Sequence, residues 1–152
     1  MTMTAIDDHD LWSQANRLLQ TYADRLDRAD CDGVAALFTE DARWDYSDDL
    51  SLVGRDNILR YLREGMARFV QTHHHVGPAM LDRLPDGTLR STAYFVASHH
   101  LEGDRHDTVC GRYVDTLAEG AHLAIASRQI VVHLTEGTDR SYRMIVRKPV
   151  AD

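Results

Sequence analysis

The chain has 152 residues, 43% of them hydrophobic and 27% charged, and a formal charge of −7. That length suits a single domain, 1–152 with its core over about 8–135, able to bury most of one hydrophobic core. The acid excess, with no block of Lys or Arg, argues against nucleic acid and anionic membrane as partners and toward a small hydrophobic or neutral ligand.

No run of about 18 apolar residues is available for a membrane span. The segment Met1 to Asp8 lacks the basic flank and apolar stretch of a secretory leader. A cytoplasmic location is therefore expected. Cys31 and Cys110 have neither disulfide-framework nor zinc-site spacing and read as buried thiols. There is no phosphate loop, HExxH or GxSxG pattern, so neither a cofactor nor a metal is expected.

In chain order, apolar residues recur at helical spacing from Asp8 to about Ala29 (Leu11, Trp12, Ala15, Leu18, Leu19, Tyr22, Ala23, Leu26), with Asp7 and Asp8 suited to the N-terminal cap. At about 100° per residue, Asp30 falls within roughly 20° of Trp12 and Leu19, so the helical wheel aims it inward if the helix extends that far. The stretch Asp30-Cys31-Asp32-Gly33 also reads as a turn, before a short helix over Val34–Phe38. Ala42–Tyr46 reads as a strand with Trp44 and Tyr46 on one face, and Ser47–Val53 as a loop. A third helix begins near Gly54 and carries Ile58, Leu59, Leu62, Met66 and Phe69 on one side.

The period then changes from 3.6 to 2. Four strands are predicted, about Thr72–Leu84, Thr88–Leu101, His106–Leu117 and His122–Leu134, separated by Pro85-Asp86-Gly87, Glu102-Gly103-Asp104 and Glu119-Gly120. A polar tail with one apolar piece, Tyr142–Val146, follows. Helices first and an antiparallel meander afterwards define an α+β arrangement with the sheet curling over the helices.

The candidate chemistry centres on Thr72-His73-His74-His75-Val76. In a strand His74 shares a face with Thr72, Val76 and Met80, while His73 and His75 take the other. An imidazole, with a reference pKa of about 6.5, accepts a proton readily near neutrality. An acid on its second ring nitrogen would fix its tautomer. The competing readings are a set of surface histidines or a metal site from His73, His75, His99, His100 and His106. The latter lacks a carboxylate or thiolate partner at ligand spacing.

The order of elements, together with Tyr22-Ala23-Asp24-Arg25-Leu26-Asp27-Arg28-Ala29-Asp30, Arg43-Trp44-Asp45-Tyr46, Thr72-His73-His74 and Leu123-Ala124-Ile125-Ala126-Ser127-Arg128, resembles the SnoaL-like group of NTF2-like proteins. These are cone-shaped α+β barrels that include scytalone dehydratase, hexachlorocyclohexane dehydrochlorinase and some polyketide cyclases. The resemblance implies a curved antiparallel sheet packed over N-terminal helices. It implies catalysis by His74, with Asp30 (by likeness to the dehydrochlorinase) or Asp27 (by likeness to the dehydratase) as its partner. Tyr46, His99, Arg128 and Trp44 would join Asp27 as substrate-binding residues. Leu26 stands where the dehydratase has a second water-holding tyrosine, which argues against scytalone as substrate.

Of the two acids, the helical wheel favours Asp30. The expected function is a cofactor-independent lyase of dehydratase type, or an isomerase, acting on a small hydrophobic cyclic substrate, in a homodimer or homotrimer. A non-catalytic subunit like the small subunits of ring-hydroxylating dioxygenases, and a polyketide cyclase in which an acid moves the proton, are the alternatives the same fold admits.

Overall fold

A computed structural model of the chain describes residues 4–5, 8–46 and 50–137. Helix α1 runs from His9 to Asp27, and the Asp8 carboxylate caps it by accepting the Leu11 N–H at 3.0 Å. Its buried stripe is Ala15, Leu18, Leu19, Tyr22, Ala23 and Leu26. Trp12 was expected within that stripe. It is instead part-exposed at the stripe's edge, its indole N–H donating to the Ala79 carbonyl.

The end of α1 decides the geometry of the site. The Ala29 N–H donates to the Leu26 carbonyl and the Asp30 N–H to the Arg25 carbonyl, with Ala29 in the left-handed region at φ 54°. This is the Schellman termination, built with alanine where glycine is the usual residue. It turns the chain out of the helix before Asp30, which then caps helix α2 (Cys31–Ala35) by accepting the Gly33 N–H at 2.9 Å. The second helix thus begins and ends three residues earlier than its apolar pattern suggested.

The remaining elements are strands β1 (Thr4–Ala5), β2 (Phe38–Tyr46) and β3 (Leu50–Val53), helix α3 (Arg55–Met66), and strands β4 (Gln71–Val76), β5 (Met80–Arg83), β6 (Leu89–Leu101), β7 (Arg105–Ala118) and β8 (Ala124–Gly137). They form one curved, unclosed sheet in the order β1-β5-β6-β7-β8-β2-β3, with β4 also paired to β6. The long antiparallel meander β6-β7-β8 matches the predicted strands closely.

Three features depart from the expected sheet. The strand read as Thr72–Leu84 is two strands, because the ladder to β6 ends after the Gly77 N–H bonds the Tyr94 carbonyl, and Pro78 has no N–H to donate. Met80 consequently leaves the His74 face and is exposed. Leu50–Val53, read as part of a loop, pairs with β2. Finally, β2 runs parallel to β8 in an otherwise antiparallel sheet. The segment Tyr142–Val146 lies outside the described residues, and no described helix is long and apolar enough to cross a membrane.

The concave face of the sheet carries an aromatic core in which Tyr22 of α1 meets Phe38, Trp44 and Tyr113, with ring centroids 5.6–6.4 Å apart. Arg128 crosses this core, its guanidinium against the Tyr22 and Tyr113 rings. The left-handed alanine is a strained position that glycine adopts without cost. Replacing Ala29→Gly is expected to raise stability by up to about 1 kcal/mol, read as a higher urea midpoint with an unchanged slope.

Candidate active site

Between α1, α3 and the concave face lies a cavity of about 360 Å³. This falls at the lower end of the range of roughly 300–1,000 Å³ typical of small-molecule pockets. Its walls are mainly aromatic and aliphatic: Trp44 and Tyr46 from β2, Tyr61 and Met66 from α3, Phe95 from β6 and Tyr113 from β7. Into this apolar lining project two imidazoles, His74 and His99, and one guanidinium, that of Arg68.

His74 is held from α1. Its ring Nδ1 lies 2.7 Å from Asp27 Oδ1, its backbone N–H donates to Asp27 Oδ2 at 2.9 Å, and the Thr72 hydroxyl donates to Asp27 Oδ1 at 2.9 Å. A carboxylate only accepts, so the proton between it and the ring sits on Nδ1, leaving Nε2 with the lone pair. The strand's alternation puts the neighbours elsewhere: the His73 side chain is 79% exposed and that of His74 7%. Burial pushes the Asp27 carboxyl up, but the His74 side-chain and backbone hydrogen bonds and that of Thr72 outweigh it and hold the group below its ordinary value.

Asp30, the acid favoured on the helical wheel, does not make this contact. Its side chain is 49% exposed, its carboxylate occupied by the Gly33 N–H and 4.0 Å from Arg25 Nε. The Schellman turn ends the helix before Asp30, so the helical angle no longer applies there. Asp27, the other acid the resemblance named, lies on the last helical residue and one full turn inward.

Arg128 also departs from expectation. It is fully buried behind the cavity wall rather than on it, with Nε and Nη2 donating to the two Asp115 oxygens at 2.8 and 2.7 Å. Its guanidinium carbon sits 4.1 Å from the ring centres of both Tyr22 and Tyr113. Burial works against its charge, yet Asp115 and the two tyrosines hold its pKa above the usual arginine value. Burial likewise pushes the Tyr22 and Tyr113 hydroxyls up. Arg128 therefore pairs with neither Asp27 nor Asp30 and supports the wall from behind.

His99 is placed on the cavity by a second Asp–His contact, Nδ1 to Asp107 Oδ1 at 2.6 Å, between residues directly opposite each other on β6 and β7. Its ring stacks on Phe69 at 4.5 Å and meets the His74 ring edge-on at 5.6 Å. Sequence reasoning singled out neither Asp107 nor Arg68. The first was legible only from the hairpin register. The second lies past α3 outside any motif. Among the described residues no group of three or more His, Cys, Asp or Glu side chains is arranged to hold a metal ion. Cys31 and Cys110 are both free thiols.

The fold and this cavity define a cone-shaped α+β protein with a paired histidine at the base of an aromatic pocket. The chain belongs to the SnoaL-like domain family, whose pattern matches residues 12–122. Two solved structures from Novosphingobium aromaticivorans superimpose with TM-scores of 0.80. One, named as a scytalone dehydratase, is 24% identical, over 90% of this chain and 93% of its own. The other, named as an aromatic ring hydroxylase, is 22% identical, over 88% and 96%. A type 2 hexachlorocyclohexane dehydrochlorinase superimposes with a TM-score of 0.73 at 12% identity, over 93% of this chain and 97% of its own. At these identities the likeness is one of fold. No curated protein shows significant sequence similarity.

Folding holds Asp27 ionised below its reference value of 3.8. Its stabilising contribution is therefore complete above that pH and is lost as pH falls through the lower folded value. Asp27→Asn is expected to cost roughly 1–3 kcal/mol at pH 7, the range for a hydrogen bond to a charged group. That difference should start to shrink as pH falls below the reference value of 3.8 and vanish only below the lower folded value, where native wild-type Asp27 is itself protonated. Urea unfolding of both proteins at pH 7 and pH 3 checks this.

Proposed function

We propose that the protein is a cofactor-independent lyase or isomerase that moves a proton on a small cyclic substrate held in the cavity, with His74 as the base. The observation that carries this reading is the 2.7 Å contact of Asp27 with His74 Nδ1 at the wall of an aromatic cavity. It orients the ring and leaves Nε2 as the nitrogen that can accept a proton from a substrate carbon. Asp27 also stabilises the imidazolium formed.

Elimination of water is the reaction the two imidazoles suit best. His74 Nε2 takes the proton from the carbon beside a carbonyl, and the electrons of that C–H bond become the new double bond as the C–O bond breaks. The departing oxygen takes a proton from the imidazolium form of His99, whose ring Nδ1 stands 2.6 Å from Asp107 Oδ1. Exchange with solvent returns both rings to their starting states. Tyr46 and Trp44, on the same wall, pack against the substrate ring, and Tyr46 supplies a hydroxyl for its carbonyl. The names borne by the structural neighbours, a dehydratase and a dehydrochlorinase, are those of eliminating enzymes and support this class. The cyclase alternative, in which an acid moves the proton, has less support: Asp27 is engaged by Thr72 and His74, and Asp30 points to solvent.

Proton abstraction can be read before the natural substrate is known. A panel of cyclic ketones bearing a β-hydroxyl is incubated with the protein in D₂O, and loss of the α-proton is followed by NMR. Wild type is expected to accelerate exchange for at least one ring system, His74→Gln to lose roughly 10²–10⁴ of that rate, Asp27→Asn to lose a large part of it, and Asp30→Asn to lose none. Full exchange activity in His74→Gln would end the assignment of the base.

A further inference from the structure

Among the described residues that line the cavity, Arg68 is the one side chain with a permanent charge. It lies two residues beyond α3, is exposed, and its guanidinium Nη2 stands 3.9 Å from where a Cβ on Gly65 would be. Gly65 is itself part of the cavity wall. The charged head, and not only the aliphatic stem, is therefore folded back along the rim. The next residue, Phe69, stacks on His99, which ties this segment to the paired histidines.

Three neighbouring arginines are held by other groups. Arg63 holds both oxygens of Asp32, Arg25 donates to the Gly33 carbonyl beside Asp30, and Arg28 reaches Asp24. No described acid comes within salt-bridge distance of Arg68. A positive side chain just past a helix complements the helix dipole, but that role does not require a guanidinium at the rim of a pocket.

We propose that Arg68 binds the anionic group, a carboxylate, of a ring-bearing substrate whose reacting carbon lies at His74. This deepens the preceding reading and rests on it: the substrate is then amphipathic, its ring against Trp44, Phe95 and Tyr113 and its carboxylate at the rim. The overall charge of −7 repels an anion at a distance. Salt screens that repulsion beyond about 8–10 Å, whereas a planar guanidinium engages a carboxylate directly through paired hydrogen bonds.

The probes are 2-naphthoate and its uncharged counterpart 2-naphthamide, with binding measured by isothermal titration at pH 8, where free imidazoles are neutral. Wild type is expected to bind the acid about five- to tenfold more tightly than the amide, with a preference that shrinks as salt is raised. Arg68→Gln should bind the two equally, and Arg68→Lys should keep part of the preference. Arg60→Gln, an equal change of charge at an exposed residue of α3 away from the cavity, should leave the preference intact. Equal binding of both probes to wild type, or a preference that survives Arg68→Gln, overturns the Arg68 assignment and leaves the cavity reading standing. Failure of both probes to bind wild type overturns the two together.

Discussion

A single carboxylate joins the two layers of this protein. Asp27, the last residue of α1, accepts hydrogen bonds from the Thr72 hydroxyl, the His74 backbone and the His74 ring, so the helix end is fixed to one strand at three points. Since the sheet is open at both edges, the position of α1 over its concave face determines how much space remains beneath it. The link that sets this packing also sets the orientation and tautomer of the imidazole facing the cavity. Architecture and candidate chemistry thus share one group, and the left-handed turn at Ala29 allows it by ending the helix where Asp27 can reach the strand.

The buried polar groups divide into two kinds by their surroundings. Arg128 and Asp115 are fully enclosed and joined by two hydrogen bonds, with the Tyr22 and Tyr113 rings packed against the guanidinium. Such a pair costs much to desolvate and is destabilising to break, and it contributes a rigid back to the cavity wall. Asp27–His74 and Asp107–His99 have the same pairing logic but place an imidazole on the cavity surface. A ring anchored through one nitrogen and presented to an apolar pocket is suited to proton transfer, whereas an enclosed ion pair is not.

Much of this was legible in the sequence, because hydrophobic period carries the information that specifies elements and faces. The long helix, the β6-β7-β8 meander and the inward turn of His74 rather than His73 all follow from periods of 3.6 and 2. The choice between Asp27 and Asp30 was not legible from period, since a helical wheel has no knowledge of where the helix stops, and here a left-handed alanine stops it without the usual glycine signal. The partners of His99 and Arg128 were hidden for another reason. Each faces its acid across a strand pair, His99 opposite Asp107 and Arg128 opposite Asp115. Such partners emerge only once the register is set, and β-bulges shift it within β7–β8.

The central claim is that Asp27 holds His74 with its proton on Nδ1 and its Nε2 lone pair free to act in the cavity. A long-range ¹H–¹⁵N correlation spectrum of the histidine rings, recorded at pH 8 with His74 assigned by substitution, tests it directly. The account predicts a protonated Nδ1 and an unprotonated Nε2 for His74, and loss of that fixed tautomer in Asp27→Asn but not in Asp30→Asn. A proton on Nε2, or a tautomer indifferent to Asp27, would contradict it.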